Sequence, residues 1–142
     1  MLKLEQAEQI IAAARAKGRA LKLAPLTVVV LDAGGHVVAS AREDHSGIAR
    51  IEIATGKAWG ALGVGAGSRA LFDRWNAGGQ GFLTGFAAAT QGRMVPVPGG
   101  VLVLGADGVI GAVGISGDNS DNDEICAIAG IEAAGLIAKP GA

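Results

Sequence analysis

The 142 residues are half hydrophobic and 18% charged, with a formal net charge of −1. That is enough chain for one core, and there is no basic field of the kind that draws a protein to nucleic acid or anionic lipid. The single Cys126 excludes an intrachain disulfide and any multi-thiolate zinc site.

From Leu4, the apolar positions Leu4, Ala7, Ile10, Ile11 and Ala14 recur at helical spacing, and Gly18 offers a stop. Glu5 and Glu8 interrupt this segment, so it lacks the form of a signal peptide, and no apolar run reaches membrane-spanning length. The expectation is a cytoplasmic protein with residues 1–142 as a single domain and with no nucleic-acid or membrane partner. After Pro25, the β-branched run Leu26–Leu31, the Asp32–Gly35 turn and His36–Ala41 predict a hairpin. Ile48, Ile51, Ala54, Ala58 and Leu62 then predict a helix from about Gly47 to Gly63. Between Gly65 and Gly92 short helices or turns are expected, with Ser68 as a cap. Met94–Val97, Val101–Leu104 and Val109–Ser116 read as three strands, and a closing helix runs from near Asp121 to before Pro140. Helices and strands in this order predict an α+β fold, an antiparallel sheet with helices packed on it. The 24 glycines, the absence of tyrosine and the low charge suggest apolar surface that meets another copy, so a homo-oligomer is expected.

The stretches VVVLDAGGHVVASARED, IATGKAWGA and GGVLVLGADGVIGAVGISGDNSDNDEICAIAG together resemble the GlcG/HbpS family of haem-binding-related proteins. Members also occur as the C-terminal domain of PduO-type corrinoid adenosyltransferases and in catabolic operons. The resemblance spans nearly the whole chain. It implies a profilin-like fold with a five-stranded antiparallel sheet flanked by helices, an oligomer, and haem as a possible cofactor.

Only two histidines are present. His36 follows the Gly-Gly turn and His45 lies in the loop after the hairpin; either imidazole could ligate haem iron or serve as acid or base. The plainer reading of His36 is a half-exposed strand residue. Arg42, Glu43 and Asp44 precede His45, and Arg50 and Lys57 follow on the next helix, so these charges are expected to converge where a small anion could be held. The plainer alternative is a set of solvated or mutually paired surface charges. The resemblance favours the ligand reading, because the Arg42-x-Asp44 and Lys57-Ala58 positions match the family pattern. Asp118, Asp121, Asp123 and Glu124 do not follow the order of a calcium loop, and helix capping accounts for most of them. Asp123 and Glu124 are kept as ligand candidates because the family's Asp-Glu falls there. No His pair at ligand spacing, HExxH or CxxC occurs, so no metal site is expected. The glycines from Gly105 to Gly114 lie between strands and do not frame a dinucleotide site, and Ser116 lacks a nucleophile-elbow setting. Trp59 and Trp75 could line a pocket or an interface, although core packing is the commoner fate.

Three functions follow. The first is a protein binding haem or another small cofactor or metabolite near Arg42, Asp44, His45 and Lys57. The second is an enzyme of a catabolic pathway acting on a carboxylated or carbonyl-bearing substrate, with Arg42 or Lys57 as anion anchor and His45, Asp44 or Glu124 as acid or base. The third is an oligomeric accessory subunit.

Overall fold

The computed structural model describes residues 1–142. In chain order it comprises α1 (Leu4–Ala20), β1 (Thr27–Asp32), β2 (Val37–Arg42), α2 (Arg50–Val64), α3 (Ser68–Asn76), α4 (Gln80–Ala89), β3 (Gly100–Gly105), β4 (Gly108–Ser116), α5 (Ser120–Ala133) and β5 (Ile137–Lys139). The strands form one antiparallel sheet in the order β2-β1-β4-β3-β5, and the fold is α+β.

The pleat sorts the core into two layers. Val28, Val30, Val101, Val103, Val113 and Ile115 face α1 and α5 together with Ile10, Cys126 and Ile131. Val29, Leu31, Leu102 and Ala112 face α2, which answers with Ala54, Ala58 and Ala61. The three central strands are covered on both faces, which is why they read as continuous apolar runs rather than alternating ones. Burying each Val or Ile contributes about 1.5–3 kcal/mol relative to leaving it in water. A smaller cluster of Leu71, Leu83 and Met94 holds α3 and α4 beside α2.

Two glycines set how closely α2 lies on the sheet. A Cβ at Gly114 of β4 would overlap the carbonyl of Ala54, and one at Gly100 of β3 would overlap the carbonyl of Lys57. With alanines on the helix and glycines on the strands, the α2 backbone rests almost on the sheet.

Several sequence expectations are corrected. Met94–Val97 is not a strand. Pro96 and Pro98 remove ladder donors, Met94 is buried against Leu71 and Leu83, and Val95 N–H donates instead to Gly56 O at 3.2 Å. The fifth strand is Ile137–Lys139, because α5 stops well before Pro140 at Gly135, whose φ is +74°. α2 begins at Arg50 rather than Gly47, and α1 runs past Gly18, which is buried against Leu26. Ser68 does not cap α3; its hydroxyl accepts from Gly100 N at 2.7 Å. At α5 the cap is Asn119, whose side chain accepts from Asn122 N at 2.9 Å.

Candidate functional site

One end of the sheet gathers the last residue of β2, the first of β1, the last of β4, the chain entering β3 and the start of α5. Register places Thr27 between Arg42 and Ser116. Arg42 donates to Ser46 O at 2.7 Å, and the Ser46 hydroxyl lies 2.8 Å from that of Thr27 in a buried pair. Arg50 reaches across to Ser116 Oγ at 3.1 Å. Two turns further along α2, Lys57 goes inward: it is 2% exposed and donates to Ile115 O at 2.8 Å and to Asp123 Oδ2 at 3.0 Å. Asp123 is 1% exposed, and its other oxygen accepts from Asp118 N at 3.1 Å. Arg69, on α3, pairs Nε with both Glu124 oxygens at 3.0 Å and also binds Asp121.

These contacts show what the charges do. Lys57–Asp123 is a buried tie joining α2, the end of β4 and the first turn of α5, where the helix dipole favours the carboxylate. Burial pulls Lys57 below the usual lysine range and raises Asp123 above the usual carboxylate range, and each partner's charge opposes that drift. The pair holds together because each ion supplies what the other lost in leaving water. Gly99, with φ +115°, passes so close that a Cβ there would sit 3.0 Å from Lys57 Nζ. Arg69 ties α3 to α5, with its guanidinium held even more firmly protonated than usual.

Of the residues singled out from the sequence, Lys57 and Asp123 meet, and Glu124 lies close by but is spent on Arg69. Asp44 and His45 are exposed on the loop outside, with His45 in the left-handed region at φ +69°. Arg42 turns to Ser46 rather than toward Lys57. Glu43 faces the other way, accepting from Leu26 N at 2.7 Å and pairing with Arg15 and Arg19. The expected convergence on one anion is therefore resolved into separate pairs. Cys126 is buried, and desolvation pushes its thiol up to about 11.

His36 lies at the opposite end of β2. That strand's six residues, at roughly 3.3 Å each, separate the two ends by about 20 Å, so the two histidines of one chain cannot share a ligand atom. The side chain of His36 is 81% exposed, and its Nδ1 lies 3.2 Å from Asp32 Oδ1. The same oxygen accepts from Gly34 N at 2.9 Å and His36 N at 3.0 Å, which holds the turn and keeps Asp32 below the usual carboxylate range. In the neutral imidazole, a proton on Nδ1 facing Asp32 leaves the lone pair on Nε2. Beside this turn lies an open cleft of about 170 Å³ lined by Ala33, Gly34, Gly35, Trp59, Leu62 and Gly63. Sequence reasoning named His36 but missed Asp32; the Asp-x-Gly-Gly-His spacing, which suits an Asx-type turn, carried that signal.

No three His, Cys, Asp or Glu side chains gather to hold a metal ion, and no helix is long and apolar enough to cross a membrane. Residues 2–132 match the family described as haem-degrading proteins of the HbpS-like type. The chain is 30% identical over 124 residues to an uncharacterized 15.0 kDa protein from the dhaT-dhaS intergenic region of Citrobacter freundii, covering 87% of this chain and 85% of the other. Its fold is similar to that of PduOC, solved as a complex with haem, at a TM-score of 0.85 and 27% identity, covering 95% of this chain and 96% of that one. The ORFY protein of Klebsiella pneumoniae is equally similar, at a TM-score of 0.85 and 27% identity, with 94% and 90% of the two chains covered.

Proposed function

The chain belongs to the HbpS-like family, and on that premise we propose that it binds haem, with His36 as the iron ligand and the Trp59–Leu62 cleft receiving one edge of the macrocycle. The observation that carries this reading is the Asp32–His36 pair. A carboxylate facing Nδ1–H favours the tautomer with its lone pair on Nε2 and fixes the ring's orientation, the arrangement that orients metal-ligating histidines. The neighbouring wall supplies what a flat apolar ligand needs: the Trp59 indole, Leu62, and the bare backbone of Gly34 and Gly35. Bound haem would supply an iron that accepts an imidazole nitrogen as axial ligand. The precedent of a structural neighbour solved with haem supports the same choice.

His45 is the weaker candidate, since no carboxylate orients it and the groove at its neighbour Asp44 is lined mainly by the charged side chains of Arg15, Arg19, Glu43 and Asp44. The acid–base enzyme reading loses two of its parts. Lys57, 2% exposed, is out of reach of a substrate, and Glu124 is committed to Arg69.

Titration of hemin into the apo-protein should give a saturable Soret band that His36→Ala weakens by at least about tenfold in affinity, while His45→Ala leaves it in place. A band that survives His36→Ala unchanged would remove His36 from the site.

We further propose a homo-oligomer. Val37, on the edge strand beside His36, is 60% exposed, and Ile48 is 94% exposed. With 18% charged residues the surface has little to keep such groups apart. Light scattering on the eluting protein should give a mass above one chain; a monomer at all concentrations would refute it.

A further inference from the structure

A second groove, which shares no lining residue with the cleft beside the turn, has no part in the haem reading. It encloses about 270 Å³ between the first half of α2 and the chain leaving α4, and its walls include Glu52, Thr55, Gln91 and Arg93. That is just below the usual range for drug-sized ligands, roughly 300–1,000 Å³, and so suits a small metabolite.

The groove is built rather than incidental. Gln91 and Gly92 turn the chain back with φ of +59° and +77°, and Gly92 N donates to Ala87 O at 2.6 Å. Three residues on, Val95 N–H is fixed to Gly56 O at 3.2 Å, which holds this segment at a set distance from α2. Arg93 is fixed at two points: its Nε donates to Thr90 O at 3.0 Å, and its guanidinium stacks 4.6 Å from the Trp59 ring centroid. Both contacts leave the two terminal nitrogens without a protein partner. The ion pairs of the structure use Arg15, Arg19, His36, Lys57 and Arg69, and never Arg93. Glu52 likewise has no pairing partner. A pre-oriented cation and a free carboxylate thus line one groove without touching each other.

We propose that this groove binds a small zwitterion of the α-amino-acid class, its carboxylate on the Arg93 guanidinium and its ammonium on Glu52. A planar guanidinium whose outer edge is free matches a carboxylate bidentately. Opposite charges at the two ends select a molecule carrying both groups over one carrying either alone.

The test is a titration of the protein with L-alanine, acetate and methylammonium, followed through the backbone amide signals of Gly56 and Gly92. L-alanine should shift both signals saturably below about 10 mM, with acetate and methylammonium each weaker by about tenfold or more. Glu52→Gln and Arg93→Gln should each weaken L-alanine by at least about tenfold, with circular dichroism showing an unchanged fold. Shifts that stay linear, an acetate response equal to that of L-alanine, or full binding by Glu52→Gln would each overturn the proposal.

Discussion

Lys57→Met lowers folding stability by about 3–5 kcal/mol, the usual result of leaving one member of a buried ion pair without the other. For a chain of this size that is a fall of roughly 10–20 °C in Tm. The methionine fills most of the space, so the loss comes from Asp123, left 1% exposed with a charge, the Asp118 N–H as its one hydrogen-bond donor and the charge of Arg50 as its remaining cationic influence. The deficit depends on pH with a definite sign. Burial already raises the Asp123 carboxyl above 3.8, and removing Lys57 removes the main opposing influence. A carboxyl whose folded pKa is raised holds its proton more tightly when folded, so the deficit is present above that pKa and shrinks as pH falls through it toward 3.8. Adding Asp123→Asn, which keeps an acceptor for Asp118 N–H, should restore more than half of the loss. Thermal melts at pH 7 and pH 5 check all three statements. A single variant as stable as the parent would mean that the pair is not holding α5 to the sheet.

One substitution type should act in opposite directions at two glycines. Gly114→Ala places a methyl on the Ala54 carbonyl, which can yield only by lifting α2, and overpacking of this kind costs about 1–3 kcal/mol. Gly85→Ala, on an exposed face of α4 with nothing within 4 Å, should gain about 0.4–1 kcal/mol by restricting the unfolded chain. Chemical denaturation of both variants reads the signs directly. A Gly114→Ala variant as stable as the parent would show that α2 does not lie on β4 as closely as described, and a destabilised Gly85→Ala would show that this face of α4 is not free.

The fold was legible where the chain repeats a pattern long enough to be seen. The β1–β2 hairpin announced itself through a β-branched run and an Asp-x-Gly-Gly turn, and α1 and α2 through their spacing. β5 was not legible: three residues cannot display a period of two, and Ile137–Lys139 is a strand only because β3 offers an open edge. Met94–Val97 failed for the opposite reason. Its apolar residues looked strand-like, yet two prolines and the packing of Met94 under α3 and α4 decide its conformation. At the site, residue types were readable and partnerships were not. Lys57 and Asp123 are 66 positions apart, and nothing in the local sequence says that they meet. Asp32 and His36 are four apart and could have been read together, since the turn between them brings one carboxylate oxygen to three donors.

The central claim, that His36 presents a free Nε2 to haem iron from a position held by Asp32, is tested most directly by replacing the imidazole with one from solution. His36→Ala should bind hemin weakly with an altered Soret band, and added imidazole should restore the parent band saturably by occupying the vacated position. Failure of imidazole to change that spectrum, or a parent-like band in His36→Ala before imidazole is added, would contradict it.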